Sequence, residues 1–198
     1  VNNYLIRLSP HMEASDNNDL LNYYLQCFSE FERIGDLAQN IADTAREMAA
    51  ENLEFSKEAK DELVIMTDAV REAIELSNKA FCDKDFEAAE KVEPLEEVID
   101  DLNEMLRSRH IERLKAGKCS VNGGIYFFDL LINLERLGDQ CSDVAVYVLG
   151  LRDSAIPGNE HTYIENIHSE HNELYESEFA KNSERFIGKL NTLPVVGE

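Results

Sequence analysis

Apolar residues recur at intervals of three and four along most of the chain, which is the spacing of one face of an α-helix. The first such stretch runs from about Asp19 to Ala50, and the second runs from about Lys57 to Phe81. A third extends from about Asp85 to Leu114, and a fourth extends from about Ile125 to Leu149. Short segments of alternating apolar and polar residues are almost absent. The pattern therefore predicts an all-α protein.

Prolines and polar clusters set the expected ends of these helices. The opening VNNYLIRLSP is typical of a helix end closed by Pro10, and a polar loop is expected over residues 11–19. Pro94 lies inside the third stretch. It is expected to kink that helix, because the proline ring clashes with the backbone one turn back. Short connections between long amphipathic helices favour an antiparallel helical bundle.

The segment GLRDSAIPGNE, residues 150–160, is a clear break in the helical pattern. We therefore predict a helical bundle over residues 1–150 and an acidic tail over residues 151–198. Residues 161–190 are amphipathic and are expected to form a C-terminal helical extension that packs over an exposed groove. A partly disordered tail is the alternative.

Charge limits the classes of partner. The 198 residues include 40 acidic and 19 basic ones, for a formal net charge of −21. Such a chain repels phosphate backbones and anionic lipid headgroups, which argues against nucleic-acid binding. The surplus suits metal ions or basic partner surfaces, although a well-solvated surface has the same composition. The four scattered cysteines fit a reducing, cytoplasmic compartment, and no segment is long and apolar enough to span a bilayer.

One helical segment occurs twice in the sequence. Residues 31–42, FERIGDLAQNIA, align with residues 134–145, LERLGDQCSDVA, which lie 103 positions further along. Glu, Arg, Gly and Asp are identical in both copies, and each copy follows an aromatic and apolar lead-in. Internal similarity of this kind indicates one supersecondary unit used twice. A glycine inside a helix costs about 1 kcal/mol relative to alanine, so we expect Gly35 and Gly138 to permit close helix–helix approach rather than a kink.

The second copy predicts a metal site. Glu135, Asp139 and Asp143 are spaced by four residues and lie on one helix face, with Phe128 and Val146 continuing that face at its two ends. Carboxylates on a partly covered face repel one another unless a cation compensates them. Oxygen ligands alone point to hard ions such as Mg²⁺, Mn²⁺, Ca²⁺ or ferric iron.

A second helix should complete the coordination. Glu96 and Asp100 on the third helix are spaced by four residues, and we expect them to face Glu135 and Asp139. The neighbouring acids Glu97, Asp101 and Glu104 are expected to face solvent. Arg33 and Arg136 have two interpretations, which are an ordinary surface ion pair and a group that holds a ligating carboxylate in place.

Enzymatic and purely structural functions have weaker support in the sequence. A carboxylate-bridged di-iron protein expects a Glu-x-x-His pair on each of two bundle helices, and the only such pair is Glu165 and His168, in the tail. His110, His161, His168 and His171 are interpreted as surface residues. No nucleophilic triad or glycine-rich phosphate loop stands out, so we do not expect an enzyme. A structural oligomerisation bundle with incidental acids is the remaining alternative.

The paired ERIGD and LERLGD segments, each with its aromatic and apolar lead-in, resemble the signature of the PhoU family over about residues 14–150. The resemblance implies two three-helix repeats, with the signature on the third helix of each. It also implies multinuclear metal clusters, usually of iron or zinc, bound by two sets of residues. One set is Glu32, Asp36 and Asn40, and the other is Glu135, Asp139 and Asp143, with Glu96 and Asp100 on the facing helix.

The resemblance also implies a function. The second repeat is complete, whereas the first keeps only its third helix and the end of the one before, so its site would need a second chain or the tail. This arrangement is similar to the cytoplasmic C-terminal domain of bacterial sodium/phosphate symporters. The expectation is a non-enzymatic, metal-binding regulator of phosphate uptake at the inner face of the cell membrane. Its partners would be metal ions, a phosphate transporter and, through the uncovered apolar face, a second copy in a homodimer.

Overall fold

A computed structural model describes residues 15–153, 155–169 and 172–196. These residues form seven helices. They are α1 (Ser15–Ala50), α2 (Lys57–Asp83), α3 (Phe86–Ala89), α4 (Val92–Lys115), α5 (Val121–Gly150), α6 (Glu160–Ser169) and α7 (Glu173–Asn191). The all-α prediction is confirmed. The predicted helix end at residues 1–10 lies outside the described residues, and α1 already begins at Ser15, inside the loop expected over residues 11–19.

Side-chain caps set several helix starts. Ser56, Asp85 and Ser120 each precede a helix, and each side chain accepts a hydrogen bond from a first-turn amide at 3.0–3.3 Å. Asn172 caps α7 in the same way, through the amides of Leu174 and Tyr175. These contacts satisfy donors that have no partner inside the helix.

The expected third helix is two helices. It is interrupted at Glu90 and Lys91, so that Pro94 lies in the first turn of α4. The prediction of a kink at Pro94 was therefore wrong. A proline in a helix interior clashes with the carbonyl group four residues before it, whereas a first-turn proline lacks only an N–H that would have no helical acceptor.

Helix α5 is the centre of the bundle and packs against α1, α2 and α4. The pair α1 and α5 is antiparallel, because Arg33 contacts Gln140 while Asn40 contacts Asn133. The two repeated glycines therefore lie at the same level of this pair. The start of α1 is fixed to the end of α2 by ring contacts of Phe81, with centroid distances of 5.0–6.2 Å to Tyr23, Tyr24, Phe28 and Phe31.

Helix α7 packs against α2 and α4, where it buries Phe186 and Leu190. The segment after α7 is held by arginines of α4 through its backbone. Arg109 Nη2 donates to the carbonyl oxygens of Leu193 and Pro194 at 2.9 and 3.1 Å, and Arg113 Nη1 donates to that of Val195 at 3.4 Å. Both arginines also bind the fully buried carboxylate of Glu62 on α2. We call these contacts the carbonyl clamp.

Candidate metal centre

Helices α4 and α5 approach closely at Gly138. A Cβ atom built on this glycine would lie 3.4 Å from Ile99 Cδ1 and 3.7 Å from Glu96 Cγ. The missing side chain thus lets the α5 backbone lie against α4 and brings Glu96 next to Asp139. The close helix–helix approach that we expected from the sequence is therefore present at Gly138. No such close approach is found at Gly35, where no described atom lies within 4 Å of such a Cβ atom, because none of the described helices covers that side of α1.

Three carboxylates meet beside this contact. One oxygen each of Glu96, Asp100 and Asp139 can be chosen so that all three lie within 4.8 Å of one another. Glu96 and Asp139 share a hydrogen bond. Its proton belongs to Glu96, because burial and the neighbouring Glu93, Asp100 and Asp139 raise the pKa of the Glu96 carboxyl far above its usual range. Burial also raises the pKa of Asp139.

Asp100 is similarly perturbed. Burial, together with the charges of Asp139 and Glu135, raises its pKa to about 7. Its Oδ1 atom is shielded from solvent and has no hydrogen-bond partner among the described residues. A shielded carboxylate oxygen without a donor is unfavourable, and a cation between the three groups would remove both the repulsion and the missing contact. These residues therefore fit a metal ion bound by oxygen ligands.

Glu135 and Asp143 lie beside this group rather than in it. Burial and the charge of Asp139 raise the pKa of Glu135, while Arg136 and Arg107 oppose that shift. Burial and the charges of Glu30 and Asp139 raise the pKa of Asp143 to about 6. The stripe of acids on α5 is thus partly covered along its length, and its middle member meets the acids of α4.

The first-repeat residues are placed differently. Glu32, Asp36 and Asn40 are exposed on α1. The side-chain amide of Asn40 donates to Asn133 Oδ1 at 3.4 Å. Arg33 pairs with the buried carboxylate of Glu30 at 2.7 Å, and it also donates to Gln140 Oε1 of α5 at 3.5 Å. The described residues of α1 do not bring these groups to a facing set of acids.

Two groups near the site were not expected from the sequence. Glu93 is 7 % exposed and accepts a hydrogen bond from the Ser142 hydroxyl. His168 of α6 lies with its Nε2 atom 2.9 Å from Glu93 Oε1 and its Nδ1 atom 3.8 Å from Glu97 Oε2. His168 is exposed, as expected, but it also pairs with Glu93, and Glu97 is not turned to solvent alone. The spacing of Glu93 three residues before Glu96 was the available signal.

The other histidines divide into two groups. His161 is exposed, as expected, and pairs with Glu165 at 3.2 Å. Glu165 and His168 therefore contact different residues. His110 is 2 % exposed, which corrects the expectation of a surface position. It follows Leu102 and Leu106 at intervals of four on the buried face of α4. His171 lies outside the described residues.

Comparison with known proteins identifies related sequences. Residues 63–148 match the model of the PhoU domain, and this range contains α3 and α4 and most of α2 and α5. The chain is 29 % identical over 127 residues to the phosphate-specific transport system accessory protein PhoU homolog 1 of Thermotoga maritima. That alignment covers 63 % of this chain and 53 % of the relative, so the chain spans about half of the relative's length. No solved structure is significantly similar.

Proposed function

We propose that this chain is a non-enzymatic, metal-binding regulatory module of phosphate uptake. The observation that carries the proposal is the convergence of Glu96, Asp100 and Asp139 from two helices inside the segment that matches the PhoU domain. The relative's name associates it with a phosphate-specific transport system, which supports phosphate uptake as the regulated process. Iron and zinc are the metals that we propose.

The residues of the site have separate tasks in this proposal. Asp100 and Asp139 would ligate through carboxylate oxygens, and Glu96 would join them after it loses its proton. Because protons and metal compete for these groups, metal affinity rises with pH. Glu135, Asp143 and Glu93 lie close enough to bind further ions or to orient the ligands. Bound metal would supply positive charge at the surface of an otherwise strongly acidic chain, where it could bridge to phosphate or to acids of a partner.

The direct test is elemental analysis of protein purified without chelator. We expect near-stoichiometric iron or zinc in the wild type and its loss in Asp139→Asn. The matched control is Asp36→Asn, which makes the same change at the equivalent position of the first repeat and should leave the metal content unchanged. Wild-type protein that contains no metal, and binds none when titrated with Fe²⁺, Zn²⁺ or Mn²⁺, would overturn the proposal and leave a structural helical module.

We also propose that the partner is the membrane part of a sodium/phosphate symporter, with this chain at the inner face of the membrane. The support is the sequence resemblance to the C-terminal domain of those proteins. No helix in the described part of the chain is both long and apolar enough to cross a bilayer. Sodium-dependent phosphate uptake in cells should change in Asp139→Asn and stay unchanged in Asp36→Asn. Equal uptake in all three strains would contradict this part of the proposal.

A further inference from the structure

A row of apolar side chains lies uncovered on the first half of α5. Val121 is 72 % exposed and Ile125 is 60 % exposed, whereas Phe128 and Ile132 are half-buried. Their spacing of four, three and four residues places all four on one face of the helix. Exposed apolar side chains that occur singly need no explanation, but a contiguous group marks a surface that another molecule can cover.

Helix α4 extends this surface. Arg107 lies over the Phe128 ring, with its Cζ atom 5.8 Å from the ring centroid. One turn further along α4, His110 Nε2 would lie 2.8 Å from a Cβ atom built on Gly124. Ile111 follows His110 and is 44 % exposed, so it lies at the level of the first turn of α5. We call Ile111 and the four residues of α5 the apolar stripe.

The apolar stripe leads into the acidic face of α5. Glu135 follows Ile132 after three residues and Asp139 follows after four more, so apolar and acidic groups share one side of the helix. About three turns of apolar surface are therefore followed by carboxylates. The same face offers two kinds of contact in a fixed order.

The border of the apolar stripe toward α1 is also acidic. Tyr126 donates a hydrogen bond to Glu51, and this bond, together with the charges of Glu51, Glu47 and Asp129, raises the pKa of Tyr126. The three carboxylates therefore lie near the first turns of α5. An apolar surface with acids at its side and at its end complements a partner that carries apolar and basic groups together.

Charge and chain geometry limit what can occupy this surface. Lys115 and Arg136 lie one turn beyond Ile111 and Ile132, but they do not offset a net charge of −21. A second copy of the chain, or an anionic lipid surface, would therefore be repelled. The residues before Ser15 join the bundle at the far end of α1, about 50 Å from the stripe along a helix of 36 residues. The occupant that fits is a positively charged segment of another protein.

We propose that the apolar stripe is a docking site for an amphipathic helix of another protein, whose apolar face is bordered by lysine or arginine. A helix that docks on such a surface places apolar anchors at intervals of three and four residues, which is the spacing of the stripe itself. Its basic side chains would lie against Glu47, Glu51 and Asp129, and its apolar face would cover Val121 and Ile125. Complementary charge guides the encounter, whereas burial of the aliphatic groups supplies most of the affinity.

The docking site is separate from the candidate metal centre. None of the three carboxylates that meet between α4 and α5 belongs to the apolar stripe. The proposal therefore does not depend on bound metal, and metal-free protein can be used to test it.

Model peptides are the probes. The first is a helix-forming peptide of leucine and lysine, about 14 residues or four turns long, with its leucines at intervals of three and four. The second has the same composition with the leucines distributed around the helix, and the third has glutamate in place of lysine. Fluorescence anisotropy of the labelled peptides is measured at physiological ionic strength, where long-range attraction is screened. We expect the first peptide to bind at least about tenfold more tightly than the other two.

Uncharged variants separate the stripe from general attraction to an acidic protein. Val121→Ser and Ile125→Ser remove exposed apolar surface without changing charge, and each should weaken binding of the first peptide about tenfold. The matched control is Val64→Ser, because Val64 is 52 % exposed on α2, and its affinity should equal that of the wild type. All three positions are exposed, so the fold should persist, which circular dichroism checks.

Three results would overturn the proposal. One is equal affinity for the amphipathic peptide and the peptide of scattered leucines, and another is equal affinity of Ile125→Ser and Val64→Ser for the amphipathic peptide. The third is self-association of the wild type in sedimentation, or binding to phosphatidylglycerol vesicles, that is lost in Ile125→Ser. That result would assign the apolar stripe to a second copy or to a lipid surface instead.

Discussion

The carboxylate of Glu62 accepts hydrogen bonds from both terminal nitrogens of Arg113, with two N···O distances of 2.7 Å and both side chains fully buried. Arg109 donates to the same carboxylate at 2.6 Å. One buried acid thus serves two arginines, and the backbone carbonyls of residues 193–195 satisfy several of the remaining donors. This polar group links α2, α4 and the segment after α7.

Removal of the Glu62 charge is expected to destabilise the fold strongly. Glu62→Gln leaves two arginines without their counter-ion, and loss of one partner of a buried pair costs about 3–5 kcal/mol. The control is Glu72→Gln, which breaks a more exposed pair with Arg185 and should cost about 0–1 kcal/mol. Urea unfolding measures both free energies. An equal loss of unfolding free energy in the two variants would contradict the expectation that the buried pair contributes more to stability.

The two repeated glycines should respond in opposite ways to a large side chain. Gly138→Leu forces α5 away from Ile99 and Glu96, which we expect to cost about 1–3 kcal/mol and to weaken metal binding. Gly35→Leu adds a side chain where no described atom is within 4 Å, and it should stabilise α1 by about 0.5–1 kcal/mol through helix propensity. Thermal unfolding distinguishes the two. A stabilised Gly138→Leu variant would contradict the close-approach explanation.

The metal-free protein should lose stability as the pH rises from about 4 to about 7, because burial raises the pKa of Asp100 from 3.8 to about 7. A carboxyl whose pKa is higher in the folded state stabilises the fold below its unfolded pKa, and that contribution disappears as the pH rises through the folded pKa. In Asp100→Asn the free energy of unfolding should fall less steeply over the same pH range. Urea unfolding at several pH values in the presence of a chelator measures the slope of unfolding free energy against pH. Identical slopes for the wild type and Asp100→Asn would refute the prediction.

Metal should restore the stability lost at neutral pH. A ligand present at one hundred times its dissociation constant stabilises the folded state by about 2.7 kcal/mol, so added Zn²⁺ or Fe²⁺ should raise the melting temperature of the wild type. Asp139→Asn should show little rise, whereas Asp36→Asn should behave like the wild type. A rise of the same size in Asp139→Asn would place the metal elsewhere on this acidic surface.

Periodicity was sufficient to predict most helix limits. The four long helices end within a few residues of their expected positions, and Ser56, Asp85 and Ser120 cap helices from the sequence positions that polar caps usually occupy. The interruption before Pro94 was missed because the apolar pattern continues through it. The proline geometry that we used to predict a kink also permits a new helix start, and packing selects between them.

Part of the candidate site also follows from the sequence. Spacing by four predicted that Glu96 and Asp100 would face Asp139, and these three carboxylates do lie together. The contact of His168 with Glu93 could not be predicted, since it depends on where α6 folds back after a loop. His110 could have been placed inside by its register with Leu102 and Leu106. Residue type led to the surface interpretation, and the stacking of His110 on Phe127 depends on tertiary packing that the sequence does not reveal.

The carbonyl clamp depends on the backbone of residues 193–195 and not on their side chains. Arg109 and Arg113 recognise the peptide oxygens of Leu193, Pro194 and Val195, which every amino acid provides. Exchange of the exposed Pro194 should therefore change little, whereas Leu193 also packs against the hydrophobic core. Truncation after Asn191 would leave Arg109 and Arg113 without these carbonyl acceptors. For anyone who engineers this domain, a tag or fusion partner is better joined beyond residue 196 than used to replace the clamped segment.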